Sequence, residues 1–122
     1  IAKSNLSSLG YHGRYTVYIG DPDDILPFMD GKFDFVFMDG PKTRYPGFLP
    51  HVKRMLLPGG ILLADNVFFN GMVTGEGEIK HSKQTIINGL DKFLHDLTSD
   101  ENYSTSVLPV GDGMSLSVKK HD

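Results

Sequence analysis

Apolar residues along this chain cluster into short strand-like runs separated by stretches with helical spacing. Residues 1–10 (IAKSNLSSLG) read as the end of a helix closed by Gly10 as a C-terminal cap. Residues 15–19 (YTVYI) are β-branched and aromatic and stop at Gly20-Asp21-Pro22, which predicts a strand. Residues 23–29 predict a short helical turn with Asp23 or Asp24 as N-cap. Phe33–Met38 predicts a second strand, apolar enough to be buried on both faces, and Asp39-Gly40-Pro41 breaks it. Residues 45–57 carry Phe48, Leu49, Val52, Met55 and Leu56 at helical spacing, ending at Pro58-Gly59-Gly60. Residues 61–64 predict a third buried strand that stops at Asp65-Asn66. The loop with Gly71, Gly75 and Gly77 follows, placed to act as a lid. Residues 81–98 form the longest predicted helix, with Ile86, Ile87, Leu90, Phe93, Leu94 and Leu97 on one stripe. A hairpin closes the chain: 103–110, a turn at Gly111-Asp112-Gly113, then a half-buried strand over 114–118.

Strands alternating with helices imply right-handed crossovers and a mostly parallel sheet, finished by an antiparallel hairpin. The fold class is therefore α/β. With 122 residues there is room for one ordinary domain, and no internal repeat or linker divides it. Hydrophobic residues at 39% and charged residues at 22% suit a soluble globular chain. No apolar run approaches the roughly 20 residues that cross a bilayer, and no basic-then-apolar leader opens the chain. A cytoplasmic protein without a membrane partner is the expectation. The absence of cysteine excludes disulfides, thiolate metal sites and cysteine nucleophiles. A net charge of −3 supplies no global cationic field for nucleic acid, though a local basic patch stays open.

In open parallel sheets, ligands bind at the carboxyl ends of the strands. Three successive predicted strands end in acidic residues: Asp21, Asp39 and the Asp65-Asn66 pair. Singly, each is more often a cap or turn residue than a ligand. Together they point to chemistry, because neighbouring strands lie about 4.8 Å apart and Asp39 and Asp65 could share a cation. Two carboxylates and one amide suit a hard ion such as Mg²⁺. Zinc is disfavoured, since the five histidines show no ligand spacing. Lys42 follows Asp39 by three residues, and a loop lysine is usually a solvated charge. A divalent cation nearby would favour its neutral amine, which makes it a candidate general base.

These residues resemble the cation-dependent O-methyltransferase family of catechol and caffeoyl-coenzyme A enzymes. The resemblance is carried by Asp39-Gly-Pro-Lys42 after Phe33–Met38, by residues 57–67 (LPGGILLADNV) and by residues 108–113 (LPVGDG). It implies a Rossmann-like methyltransferase domain that uses S-adenosylmethionine (SAM). By position, Asp39, Asp65 and Asn66 would hold Mg²⁺ or another hard divalent cation, and Lys42 would be the catalytic base. Asp21 and Pro22 would lie beside the adenine of SAM, with Asp39 also facing the cofactor. The cation would lower the pKa of the acceptor hydroxyl, Lys42 would take its proton, and the oxyanion would attack the methyl group in line. The acceptor would be a small hydroxylated aromatic or, since residues 66–73 and 111–118 look closer to bacterial members, a hydroxyuridine of tRNA. A homodimer is a common state in the family.

The chain departs from the family pattern in three places. Pro22 has no N–H, so a backbone bond to adenine would fall to Asp23. Ser115 stands where catechol enzymes carry an acidic substrate contact. The glycine-rich SAM loop and the acidic ribose ligand have no counterpart, so the chain reads as the C-terminal portion of one such domain, lacking the first two strands. The strand over 15–19 would then have no neighbour, and the isolated portion would bind SAM weakly. Two other readings stay open at this point. A phosphoacceptor receiver domain shares the acidic pair Asp23-Asp24 and Asp39 but needs a Ser or Thr where Asp65-Asn66 stand. A non-catalytic scaffold is disfavoured by the intact candidate ligands and base.

Overall fold

The structure is a computed structural model that describes residues 9, 10, 13, 16–65, 81–111 and 113–122, with the side chains of 81–83 left aside. Its elements are α1 (Pro22–Ile25), β1 (Phe33–Met38), α2 (Tyr45–Met55), β2 (Leu56–Asp65), α3 (His81–Thr98), β3 (Tyr103–Leu108) and β4 (Met114–Lys119). Short 3₁₀ turns over Leu26–Phe28 and Lys42–Arg44 extend α1 and lead into α2. The strands form one sheet in the order β1-β2-β4-β3. β1 and β2 are parallel, and β4 runs antiparallel to both β2 and β3. The sheet is thus mixed, with a smaller parallel share than the sequence pattern implies.

The missing parallel member is the segment 15–19. Residues 16–19 form no strand, and Ile19 is 87% exposed. Their β-rich composition does not suffice, because a strand gains its hydrogen bonds only from a neighbour. Among the described residues β1 likewise has a single strand partner, β2.

The helices form where the apolar spacing predicts. In α2, Tyr45, Phe48, Leu49, Val52 and Met55 are buried; in α3, Ile87, Leu90, Phe93 and Leu97 are. Both stripes meet Met38, Leu62 and Ala64 of the sheet in one core. The opposite sheet face, with Phe35 and Phe37, is exposed among the described residues. β2 starts earlier than expected, running through Pro58-Gly59-Gly60, and the pairing with β1 shifts register between Phe33 and Phe35. Gly60 is required there: an added Cβ would lie 2.7 Å from Leu57 O and 2.8 Å from Leu56 Cγ. The helical end over 1–8 and the glycine-bearing loop over 66–80 fall outside the described residues. No described helix is long and apolar enough to cross a membrane.

Tyr103 opens β3 in the core, and its hydroxyl has no hydrogen-bond partner among the described residues. Burial, and then the Asp100 charge, push its phenol from 10.0 up to about 12. The unfolded chain therefore releases this proton first, so the folded state binds more protons between those values and stability falls as pH rises through them. Tyr103→Phe is expected to flatten that alkaline loss and to leave stability at neutral pH equal or higher. Urea unfolding at neutral pH and inside the alkaline window checks this, and parallel losses in both proteins would contradict it.

Candidate active site

The parallel pairing of β1 with β2 sets the site. Met38 lies opposite Ala64, so Asp39 and Asp65 follow directly at the carboxyl ends of neighbouring strands. Asp39 heads the loop that turns into α2, and its side chain is 59% exposed. Asp65 is the last residue of β2 and pairs in register with Met114 of β4.

Lys42 does not behave as a solvated loop lysine. Its side chain is only 10% exposed, with Nζ 3.5 Å from Asp39 Oδ1. Nζ also donates to the Tyr45 hydroxyl at 2.7 Å. That hydroxyl lies 3.2 Å from Met38 O and 3.1 Å from Asp65 O, the carbonyls at the ends of both strands. Burial raises the Tyr45 pKa, partly opposed by the Lys42 contact, so the phenol stays neutral and can donate to these carbonyls. Gly89 of α3 lets that helix approach the same turn, since a Cβ there would stand 3.2 Å from Thr43 Cα and 3.3 Å from Lys42 O. Neither Tyr45 nor Gly89 stands out in the sequence: the first reads as the start of a helix, the second as an ordinary helix residue. The signal that could have marked Tyr45 is its place three residues after Lys42, on one face of a turn.

Asp21 and Pro22 sit at the start of α1. Asp21 is the N-cap, accepting from Asp23 N at 2.9 Å. Arg44 Nη1 reaches Asp21 Oδ1 at 2.6 Å and Asp23 Oδ2 at 3.3 Å, tying α1 to the turn that carries Lys42. The Asp23 backbone bond, and with it the Arg44 guanidinium, holds the Asp21 carboxyl below its usual range. The Asp23 N–H is thus already engaged by Asp21, which leaves neither Pro22 nor Asp23 with a free donor in this arrangement. Pro22 and Asp39 do line one small cavity of about 160 Å³, with Leu26, Met38 and Phe48 behind them. Arg44 is a further residue that the sequence reading missed.

Asn66 lies outside the described residues, and among those described no group of three or more His, Cys, Asp or Glu side chains is arranged to hold a metal ion. What the structure supplies is an all-oxygen pair, Asp39 and Asp65, on adjacent strand ends, a chemistry that fits a hard cation and not a soft one. Ser115 is fully buried on the helix-covered face.

The O-methyltransferase family model matches residues 2–120. A catechol O-methyltransferase of Niastella koreensis is 29% identical over 98% of this chain and 57% of its own length. Among solved structures, the SAM complex of the O-methyltransferase TomG from Streptomyces achromogenes superposes with a TM-score of 0.84 at 25% identity, over 98% of this chain and 56% of that one. The SAH-bound methyltransferase PaMTH1 of Podospora anserina gives 0.81 at 26%, over 98% and 55%. The chain therefore spans about half the length of these relatives. A match over nearly every residue leaves no place for a receiver domain: the chain belongs to the O-methyltransferase family.

Proposed function

We propose that the whole protein transfers a methyl group from SAM to a hydroxyl oxygen, on a small catechol-like aromatic or a tRNA hydroxyuridine, with the help of Mg²⁺ or another hard divalent cation. The observation that carries this reading is Lys42 Nζ, nearly buried, held between Asp39 and Tyr45 where β1 and β2 end. Asp39 and Asp65, joined by Asn66, are the residues that would hold the cation. Asp21, Pro22 and Asp39 are those that would border SAM. When bound, SAM supplies an electrophilic methyl group and the cation supplies Lewis acidity at the acceptor oxygen.

The chain's own residues account for the proton and the alignment. Lys42 Nζ takes the acceptor's proton as general base. The Tyr45 hydroxyl, which both accepts and donates, can stay in contact with that nitrogen before and after the transfer. Arg44 fixes the Asp21 turn against the Lys42 turn, which keeps the cofactor border and the base in one frame.

The test is methyl-labelled SAM supplied to the whole protein with a panel of catechols and with undermodified tRNA. Label is expected on an oxygen of one acceptor class, to disappear with EDTA and to return with added Mg²⁺. Turnover untouched by EDTA, or label on nitrogen or carbon, would sink the reading.

A further inference from the structure

We infer that Tyr45 is a positioning residue that sets Lys42 against the ends of β1 and β2 through a single hydroxyl. This deepens the proposed function and rests on Lys42 being its base. The hydroxyl makes three contacts at once: Lys42 Nζ at 2.7 Å, Asp65 O at 3.1 Å and Met38 O at 3.2 Å. Those two carbonyls belong to the residues that end the strands bearing the acidic groups. One oxygen therefore relates the amine to both strand ends, within hydrogen-bond reach of each.

Lys42 Nζ also lies 4.8 Å from the centroid of the Tyr45 ring, and its ion-pair partner is a weaker anchor. Asp39 Oδ1 lies at 3.5 Å on a side chain that is 59% exposed, where solvent screens an ion pair. Tyr45 by contrast is fully buried, and its ring meets Phe93 of α3 edge-on at 5.2 Å. A ring held in the core by both helices gives its hydroxyl a fixed place, and a fixed partner restricts a long, rotamer-rich amine. Sequence spacing makes Tyr45 only the first residue of a helix; in the structure the core claims the ring, and the hydroxyl is what reaches the site.

The test is Tyr45→Phe in the whole protein, which keeps the ring and removes only the oxygen. We expect kcat to fall about 10- to 100-fold with KM for SAM nearly unchanged. Lys42 should also become several-fold more reactive to an amine-acylating reagent, read by peptide mass spectrometry against Lys92, whose side chain is 65% exposed. On a Lys42→Met background the same change should lower the rate no further, because Tyr45 acts through Lys42. An unchanged kcat, an unchanged Lys42 reactivity, or an equal rate loss without Lys42 would overturn the inference. A general rise in lysine reactivity with a lowered melting temperature would make the role merely structural and overturn it too. Should Tyr45→Phe fail to fold, wild-type labelling decides: Lys42 reacting as fast as Lys92 refutes the restraint. If instead Lys42→Met alone turns over normally, the base assignment fails, and the Lys42 labelling result still judges the positioning.

Discussion

Lys42→Met in the whole protein is expected to lower kcat about 10²- to 10⁴-fold, the usual contribution of a positioned general base. Methionine keeps much of the aliphatic stem, which lies in the 10%-exposed niche of the lysine, and removes the amine. The Tyr45 hydroxyl retains Met38 O and Asp65 O as acceptors, so no buried donor is orphaned and the fold should survive. Asp39 loses an ion pair at 3.5 Å on its exposed side, a small stability effect. KM for SAM should move little, because Lys42 is assigned to the acceptor's proton and not to the cofactor border. Loss of kcat and kcat/KM together marks an interaction made in the transition state, whereas a rise in KM alone would mark binding. Single-turnover rates on one acceptor, with circular dichroism to verify folding, separate the two. A variant as fast as the wild type would remove Lys42 from the reaction.

The placement of the candidate site was legible in the sequence where it follows from strand ends. Apolar runs that stop at Asp39 and Asp65 can be placed side by side once the strands are taken as parallel, and Met38 does lie opposite Ala64. The apolar stripes of α2 and α3 were equally readable, since Leu90, Phe93 and Leu97 recur at helical spacing and are fully buried. What spacing cannot show is which polar group meets which across the fold. Arg44 joins Asp21 over 23 positions, and Tyr45 reaches Asp65 O over 20. Such contacts are fixed only when the turn before α2 packs beneath α3, an approach that depends on Gly89 having no side chain. The strand expected over 15–19 failed for a different reason: its residues favour a strand, but strand formation is a property of a pair, and among the described residues no strand pairs with 16–19.

Lys119→Met should destabilise the protein by about 2–4 kcal/mol, the order expected for losing two hydrogen bonds from a charged donor. A lysine ending a hairpin strand reads as a solvated tip, yet Lys119 is 6% exposed. Its Nζ donates to Leu56 O at 2.8 Å and to Lys53 O at 2.9 Å, at the C-terminal end of α2. The carbonyls of a helix end carry partial negative charge and lack intrahelical donors, so the ammonium there acts as a cap supplied from the far edge of the chain. Two effects oppose each other in the substitution. Removing a buried charge relieves its desolvation, which favours methionine. Against that, both carbonyls lose their donor while the packing that buries them persists, and the one-sided loss dominates. The carboxylate of Asp122, 3.7 Å from Nζ and 77% exposed, is too well solvated to alter the outcome. Urea unfolding of the two proteins measures the difference, and a Lys119→Met protein as stable as the wild type would show that desolvation cancels the cap. The substitution also separates stability from chemistry. Lys119 holds the end of α2 opposite to Tyr45, so at temperatures where the variant remains folded its methyl transfer should match the wild type, whereas Lys42→Met should lose activity while remaining stable.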